Sequence, residues 1–444
     1  MIGKHQINTI KQLISDLIPA CTVSYTQRSP QEKDKLYRVV CARTGEKLGL
    51  LIQEDYAELW IEANDNGREH TFIISRKGLT FTKTEIRILH AVLDVCRSST
   101  IGNEIDAVFT QQSISSQFTM PYFIVSNFMR GANHACLWSS IIGLVLLQKL
   151  SYKKYEGSMC SSGFLCLKSI NNTIQERIKS QSTFVFESFD KPIPLSDVFF
   201  EKPLSYRYVD GRNSFYLVDN HETVLGVLRN NSPKSYDIID RCTFKHIEVL
   251  TSLSGFRWLA YSGIHSDVIV HTKKGIVFQW DQGIWRNREL SLIENVILKY
   301  GVEVDFAKTL VDILYTLSEL RSGALILLIR DENLPGTIGK IDTTKLGAAL
   351  CKSLQGSSFN SLRTNNSIIG LLTSDGMTTF DVKGNLIDCG TIIDLSTVSE
   401  TARVAGGGRS QAACAASTYG LAIKVSEDGP ITIYENGKKI LEWR

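Results

Sequence analysis

"GALILLIRDEN", residues 323–333, decides the fold of the C-terminal part of this chain. It is a short, continuous run of apolar residues bounded by Gly323 and Asp331. Strands that are covered on both faces have this composition, because neither face is left for polar side chains. The run therefore predicts a buried strand within a sheet.

The segments on either side of this strand predict a sheet flanked by helices. Residues 286–323 have mixed charge and helical apolar spacing, and predict two helices, the second suited to packing against a sheet. Residues 342–355 predict another helix. Residues 368–393 predict a strand, a Ser-Asp-Gly bend and a hairpin closed at Lys383–Asn385, and two final strands are predicted within residues 421–437.

A glycine loop, "VAGGGRSQAA" at residues 404–413, opens the last predicted helix, which ends at Gly420. A glycine-rich loop entering a helix exposes backbone N–H groups at the positive end of the helix dipole, and Arg409 adds a charged donor. The loop therefore predicts an anion site. A plain flexible connection between two elements produces the same pattern.

Asp375 and Gly376 lie between the predicted strand and the predicted hairpin. A carboxylate at this point can hold a divalent metal or accept a proton from a ribose hydroxyl, and the glycine lets a ligand approach the backbone. The same dipeptide is also an ordinary turn sequence. The combination of one carboxylate site and one phosphate site on a small mixed sheet is what metal-assisted nucleotidyl transfer requires.

From about residue 303 to residue 444 the sequence resembles the diadenylate cyclase domain family. The resemblance covers about a third of the chain and follows the family's order. It is carried by "GALILLIRDEN" (323–333), "GKIDTTKLGAALCKSL" (339–354) with its Ile341-Asp342 pair, "TSDGMTTFDVKGNLIDCGTII" (373–393), "GGRSQAA" (407–413) and "LAIKVSEDGPITIYENGKKI" (421–440).

The resemblance implies a nucleotide site drawn from three of these stretches. Asp375 and Gly376 would be the catalytic residues, and Asp375 together with Glu427 would bind the metal. The nucleotide and its phosphates would be held by Met377, Gly407, Gly408, Arg409, Ser410, Gln411 and Ser426.

The chain departs from the family at three of these positions. Met377 replaces an alanine, and Ser410 and Gln411 replace the histidine and the second arginine that follow Arg409 in the family. Charge-assisted hydrogen bonds to phosphate are roughly twice as strong as neutral ones. We therefore expect the two neutral residues to weaken triphosphate binding.

Lys424 is a candidate for the missing positive charge. In the predicted strand "LAIKVSE" the side chains alternate between faces, so Lys424 shares a face with Ser426. We expect it to replace part of the charge lost at Gln411, because an unpaired lysine in an apolar strand is costly and a bound phosphate would be its partner. The alternative is an exposed lysine on an edge strand.

The resemblance implies an enzyme that condenses two ATP molecules into the second messenger cyclic di-AMP, releasing pyrophosphate. One active site holds one ATP, so two domains must face each other, and a homo-oligomer is expected. Mg²⁺ or Mn²⁺ would be the cofactor. The alternative, favoured by the altered Ser410 and Gln411, is a catalytically weakened module that binds a nucleotide and signals without turnover. A purely structural role is a third possibility.

Two regions precede the cyclase-like stretch, which we place at residues 289–444. Residues 1–105 alternate helix and strand signals and are similar in shape to a small sensory module of the PAS or GAF type. Thr82 followed by Glu85 predicts a capped helix start there. Residues 106–288 predict a second α+β region, with helices followed by hairpins. We expect both regions to be sensors that regulate the cyclase, and the ligand they sense stays open.

Four residues in or beside the predicted hairpin at residues 266–286 could serve a ligand. His265 and His271 allow a metal role, although ordinary strand positions are the favoured interpretation. Trp280 and Trp285 could line a ligand pocket, but packing in the core or at an edge is favoured.

The composition of the 444 residues is that of a globular protein, with 43% hydrophobic and 21% charged residues. The net charge of +3 is spread along the chain and gives no argument for nucleic acid or a membrane as partner. The apolar run at residues 135–150 is too short to span a bilayer comfortably and predicts a buried helix. Ten scattered cysteines and no secretory signal predict reduced thiols and a cytoplasmic protein.

Overall fold

The structure, a computed structural model, describes residues 4–28, 37–40, 47–63, 68–76, 78–99, 119–130, 137–168, 176, 184–196, 198–230, 238–243, 245, 248–253, 255–263, 265, 267–273, 275–330, 340–341, 345–364, 367–393 and 407–444. The chain folds as two compact units. The first contains Met1–Ser235 and Ile247–Glu289, and the second contains Tyr236–His246 and Leu290–Arg444. Both predicted sensory regions thus fall almost entirely in the first unit, and the cyclase-like region falls in the second.

The first unit opens with helix α1 (Lys4–Leu17) and a five-stranded sheet, which helix α2 (Lys83–Ser99) follows. Every strand pair in this sheet is antiparallel, in the order β1-β5-β4-β3-β2. The strands are β1 (Thr22–Arg28), β2 (Tyr37–Val40), β3 (Lys47–Ile52), β4 (Tyr56–Ala63) and β5 (Arg68–Ser75). Leu59 and Phe72 face each other across β4 and β5, and both are fully buried in the core.

The start of α2 confirms the predicted cap. The Glu85 backbone N–H donates to the Thr82 hydroxyl at 3.1 Å, and the Thr82 N–H donates to the Glu85 carboxylate at 2.8 Å. This reciprocal pair is a capping box. The same carboxylate accepts a hydrogen bond from Arg76 Nη1 at 2.8 Å, and the Arg76 and Glu85 side chains are 0% and 1% exposed. The helix start is therefore closed by buried side chains of the protein itself.

The second sheet of the first unit has eight strands in the order β15-β14-β13-β12-β8-β10-β11-β9. Only the pair β8–β10 is parallel. The strands are β8 (Gly163–Leu167), β9 (Phe184–Pro194), β10 (Ser214–Val218), β11 (Thr223–Asn230), β12 (Phe256–Ser262), β13 (Val268–Thr272), β14 (Gly275–Asp281) and β15 (Ile284–Asn287). Strands β8, β9 and β12 were not predicted, whereas the hairpins β10–β11 and β13–β14 were.

Smaller elements complete the first unit. They are the helices α3 (Thr119–Arg130), α4 (Leu137–Ser151), α5 (Pro203–Arg207) and α7 (Glu248–Thr251) and the two-stranded ladder of β6 (Lys154–Tyr155) and β7 (Ser158–Met159). The α4 helix lies in the apolar run at residues 135–150, and its Leu144 and Leu147 are fully buried, which confirms the predicted buried helix. Within the described residues, no helix is both long and apolar enough to cross a bilayer.

The four candidate ligand residues in or beside the 266–286 hairpin lie in the first unit. His271 lies in β13 and is 2% exposed, while His265 lies in a turn. No group of three or more His, Cys, Asp or Glu residues within the described part of the chain is arranged to hold a metal. Trp280 and Trp285 are 1% and 3% exposed and belong to the apolar core, so core packing, the favoured interpretation, is confirmed.

The second unit is built on a seven-stranded mixed sheet with the order β17-β19-β18-β16-β20-β21-β22. Only β16 and β18 are parallel. The strands are β16 (Ala324–Ile329), β17 (Lys340–Ile341), β18 (Met377–Asp381), β19 (Leu386–Ile392), β20 (Leu421–Val425), β21 (Ile431–Glu435) and β22 (Lys438–Trp443). All six residues of β16 are buried, as its apolar sequence predicted.

Seven helices of the second unit are described. They are α6 (Ile238–Cys242), α8 (Ser291–Lys299), α9 (Val304–Glu319), α10 (Lys345–Leu354), α11 (Phe359–Thr364), α12 (Ser367–Leu372) and α13 (Gly408–Ala416). The helices predicted as α8, α9, α10 and α13 are confirmed. The predicted α+β class, with a mixed sheet flanked by helices, is also confirmed.

Two predictions for this unit were wrong. The apolar run before Asp375 is the helix α12 and not a strand. Ile368 and Leu372 are both buried, and their spacing of four residues puts them on one helix face. The chain also ends in three strands and not two. Asn436 and Gly437 both have positive φ, at 51° and 70°, and form the tight turn that adds β22 to β21.

Candidate functional site

Three neighbouring strands of the second unit each have one terminus at the same end of the sheet. Strands β16 and β18 run parallel and both begin there, while β20 is antiparallel to β16 and ends there. Gly323 precedes β16, Asp375 and Gly376 precede β18, and Ser426 and Glu427 follow β20. We name these five residues the sheet-end cluster. Because adjacent strands are about 4.8 Å apart, the outer two of these strands lie only about 10 Å apart.

The first turn of α13 reaches this end of the sheet. The Arg409 Nη1 atom donates a hydrogen bond to Glu427 Oε1 at 2.6 Å. A Cβ atom added at Gly323 would lie 2.0 Å from the same Nη1, so the guanidinium occupies the space that a side chain would take. The Arg409 and Glu427 side chains are 40% and 73% exposed. The ion pair therefore lies at the surface, where a ligand can compete for either partner.

The two glycines before Arg409 are exposed and leave the helix start open. Gly407 is the N-cap residue with a φ of −69°, and no side chain caps the helix. A Cβ at Gly407 or Gly408 would meet no described atom within 4 Å. Neither glycine is explained by packing in the described part of the chain, and Gly407 has no left-handed backbone that would require it. The geometry leaves room for an anion at the N-terminus of α13.

Lys424 lies on the sheet next to the start of α13. It stands opposite Leu325 across β20 and β16, on the sheet face that α13 covers, and its Nζ donates to Ser410 Oγ at 2.9 Å. Burial lowers the pKa of Lys424, and the nearby carboxylates of Asp428 and Glu442 oppose that shift. Since β20 is an interior strand and the lysine is half-buried, the alternative of an exposed edge-strand lysine was wrong.

The neutral residues at the start of α13 differ in their surroundings. Ser410 is buried, accepts the hydrogen bond from Lys424 and also forms a side-chain hydrogen bond with Tyr434. Gln411 is half-buried. The lysine therefore meets the first of the two replaced family positions, whereas the sequence argument had assigned it to the second.

Met377 and Ser426 contribute to the frame of the site. Met377 is 1% exposed and packs in the core between the sheet and α13, together with Leu325 and Ala413. Ser426 is half-buried, and its backbone N–H donates to the Pro430 carbonyl at 2.9 Å, closing the turn between β20 and β21.

Asp375 and Gly376 form the carboxylate side of the cluster. Asp375 is exposed, in the turn between α12 and β18. Gly376 has a φ of 95°, and a Cβ there would lie 2.6 Å from the carbonyl carbon of Gly390. The glycine is thus required by the backbone of the turn and by its close approach to β19. The backbone alone therefore explains why residue 376 is a glycine, and no ligand has to be invoked.

Asp375 and Glu427 are the two carboxylates available for a metal in the sheet-end cluster. Mg²⁺ is commonly held by one or two carboxylates together with substrate phosphate oxygens and water. The hard oxygen donors of this pair fit that mode, and they are too few for a site built from the protein alone. Glu427 would first have to leave Arg409.

Sequence reasoning brought together most of this site but missed two contributors. Gly323 was interpreted only as the boundary of a strand, and Tyr434 was not considered. Asp342 and the loop residues 404–406, which belong to quoted stretches, lie outside the described residues.

No protein-family model matches this chain, and no curated protein matches it either. The resemblance to the diadenylate cyclase family therefore stays a prediction that depends on the residues quoted above.

Proposed function

We propose that the second unit is a nucleotidyltransferase of the diadenylate cyclase type, which condenses two ATP molecules into cyclic di-AMP. One observation carries the proposal. The sheet-end cluster and the first turn of α13 bring the exposed Asp375 carboxylate to the same end of the sheet as the Arg409 guanidinium and an open helix N-terminus. A carboxylate for the ribose hydroxyl and donors for phosphate are the two parts that this chemistry needs.

In this proposal the phosphates bind at the start of α13. The backbone N–H groups of the first turn and the Arg409 guanidinium are the donors, since both favour an anion. Lys424 approaches from the sheet below and supplies the second positive charge through its position beside Ser410. Two cations and a helix dipole then replace the three charged and polar side chains of the family pattern.

Arg409 must exchange partners when phosphate binds. Its ion pair with Glu427 is largely exposed, and exposed ion pairs contribute only about 0–1 kcal/mol. A phosphate oxygen forms a stronger, charge-assisted hydrogen bond with the same guanidinium. The exchange is therefore favourable, and it frees the Glu427 carboxylate beside the bound phosphates.

Asp375 is the group that accepts the proton of the attacking 3′-hydroxyl. It is exposed and lies across β16 from Glu427, so it can reach a ribose bound over the end of the sheet. A bound Mg²⁺ or Mn²⁺ would offset phosphate charge and lower the pKa of that hydroxyl. One site binds one ATP, so the ring forms only when a second copy of the unit presents its own ATP.

Mass spectrometry of the product tests the proposal. The purified chain with ATP and Mn²⁺ is expected to yield cyclic di-AMP, and Asp375→Asn is expected to abolish the product while ATP binding persists. Asp305→Asn, an exposed carboxylate in the first turn of α9, is the matched control and should keep full activity. Near-normal turnover by Asp375→Asn contradicts the role of Asp375, and no product from the parent chain with either metal contradicts the enzyme.

A binding module without turnover is the second candidate, and Ser410 and Gln411 favour it. Ser410 is already engaged by Lys424 and Tyr434, so it has less hydrogen-bonding capacity for a phosphate than the residue it replaces in the family. Saturable ATP binding by calorimetry, together with absence of cyclic di-AMP in the same sample, would identify this function.

A further inference from the structure

Two cysteines of the second unit converge on one carboxylate. Cys351 lies on α10 and Cys389 on β19. The Cys351 thiol donates to Asp388 Oδ1 at 3.0 Å, and the backbone N–H of Cys389 donates to the same oxygen at 2.8 Å. The two thiols also hydrogen-bond each other. The shared oxygen of Asp388 therefore brings the Cys351 thiol on α10 close to Cys389 on β19.

Both cysteines are partly exposed to solvent. Cys351 and Cys389 are half-buried and unoxidised, whereas Cys160, Cys166 and Cys414 are buried. A disulfide between two cysteines requires access for the oxidant and a second thiol within reach of the first. Among the cysteines that the structure describes, this pair meets both conditions.

We propose that Cys351 and Cys389 form an intramolecular disulfide when the protein encounters hydrogen peroxide. The Cys389 thiolate attacks one peroxide oxygen, the O–O bond breaks, and the released hydroxide takes a proton and leaves as water. The Cys351 sulfur then attacks the sulfenic acid of Cys389, and a second water leaves with the thiol proton. In total two thiols and one peroxide become one disulfide and two waters.

The hydrogen bonds assign the two roles. Burial raises the pKa of the Cys351 thiol to about 12, and its hydrogen bonds to Asp388 and Cys389 add to that shift. Burial also raises the pKa of the Cys389 thiol, but the hydrogen bond with Cys351 lowers it in part. The Cys389 thiol therefore loses its proton more readily than the Cys351 thiol. Cys389 is assigned as the thiolate that attacks peroxide, and Cys351 as the thiol that resolves the sulfenic acid. Because the thiolate is the reactive form, the raised pKa values make the oxidation slow at neutral pH and faster as the pH rises.

The disulfide would change the contacts next to the sheet-end cluster. Asp388 Oδ2 accepts a hydrogen bond from the Thr391 hydroxyl at 2.7 Å, and the Thr391 backbone nitrogen lies against Gly376. Oxidation removes the proton that Cys351 donates to Asp388 and ties α10 to β19. The oxidation chemistry itself depends only on the two cysteines and does not require the proposed cyclase activity.

Peptide mapping of the intact chain tests the proposal. Trypsin cuts after Lys345, Lys352, Lys383 and Arg403, so the disulfide links peptide 346–352 to peptide 384–403, and each of these contains a single cysteine. After treatment with hydrogen peroxide, non-reducing digestion is expected to yield this linked pair, and dithiothreitol should release it. A linked pair that is absent, while sulfinic acid accumulates on Cys389, would overturn the proposal.

Three variants make the assignment specific. Cys351→Ser should leave a sulfenic acid on Cys389 that dimedone traps, and Cys389→Ser should give neither the linked pair nor the trapped acid on Cys351. Cys242→Ser, a half-buried cysteine on α6, is the matched control and should form the linked pair like the parent. Dimedone labelling of Cys351 in Cys389→Ser at the rate of Cys389 in Cys351→Ser would overturn the assigned roles.

Discussion

Two helix starts in this chain solve the same problem in opposite ways. Every helix leaves its first backbone N–H groups without partners in the helix. At the start of α2, Thr82 and Glu85 satisfy these groups reciprocally, and the buried Arg76 neutralises the carboxylate. At the start of α13 the N-cap and the first helical residue are Gly407 and Gly408, which are exposed and have no side chain to offer.

The difference teaches how to separate a structural helix start from a binding one. At the closed start the helix supplies its own anion, the Glu85 carboxylate, and the Arg76 side chain that pairs with it is 0% exposed. The open start has an arginine that is 40% exposed and is paired with a carboxylate whose side chain is 73% exposed. Charge at the closed start should therefore affect stability, whereas charge at the open start should affect affinity for an anion.

The largest effect is expected at the closed start. Glu85→Gln removes the negative partner of the buried Arg76 and leaves an uncompensated charge, which costs about 3–5 kcal/mol of unfolding free energy. Urea unfolding is followed by tryptophan fluorescence, which reports mainly on the first unit because all tryptophans except Trp443 lie there, and by circular dichroism, which reports on both units. Glu427→Gln is the matched variant at the open start and should cost less than about 1 kcal/mol. Equal costs for the two variants would contradict the comparison.

Arg409→Gln should lower the affinity for ATP and leave the unfolding free energy unchanged. Loss of a charge-assisted hydrogen bond to phosphate is worth about 1.5–3 kcal/mol, so the affinity for ATP should fall by about tenfold to a hundredfold. Its unfolding free energy should match that of the parent chain. Calorimetric titration measures the affinity, with Lys438→Gln, an exposed cation on β22, as the control that should bind ATP normally. An ATP affinity unchanged in Arg409→Gln would remove the main donor from the proposed site.

The sequence predicted a helix or strand correctly where its local pattern agrees with its tertiary position. The run in β16 is apolar at every position because both faces are covered, and Thr82 with Glu85 has the spacing that a capping box requires. Periodicity failed for the run at Ser367–Leu372, because a run of six apolar or small residues suits a buried strand and a short helix equally. The Asn436-Gly437 turn was a readable signal for a third C-terminal strand that the sequence analysis missed.

For the candidate site, the residue types were readable from the sequence and their contacts were not. Arg409, Glu427 and Gly323 lie far apart in the chain and meet only because β20 lies beside β16 and α13 covers both. Alternation along β20 correctly put Lys424 on the site side of the strand. The position of α13 on the sheet decides that its partner is Ser410 and not Gln411. Strand order and helix placement are tertiary properties, which local spacing does not encode.

A smaller effect is expected at Lys424. If its ammonium helps to hold phosphate, Lys424→Ala should lower ATP affinity by about threefold to tenfold, in line with roughly 1 kcal/mol for a partly exposed contact. Gln411→Arg adds a charge in the same first turn and should raise the affinity by a similar factor. Both are measured by calorimetry at low salt, where electrostatic contributions are largest. Unchanged affinity in Lys424→Ala would leave the lysine with the single role of anchoring Ser410.

The smallest effect is expected at Gly323, where the open start is tuned by a missing side chain. Gly323→Ala puts a Cβ where the Arg409 Nη1 now lies, but that atom is the end of a flexible side chain and can move away. The unfolding free energy should therefore stay within about 0.5 kcal/mol of the parent, because surface changes without a buried clash rarely cost more. ATP affinity should fall by about twofold to threefold, since the displaced guanidinium must be reoriented on binding. Gly370→Ala, at an exposed position of α12 with no described atom within 4 Å of the new Cβ, is the control and should leave affinity unchanged. An affinity loss as large as that of Arg409→Gln would mean that Gly323 itself contacts the ligand. No loss at all would mean that the position of Arg409 in the free protein is irrelevant to binding, and the open start would then act through its backbone N–H groups and Lys424.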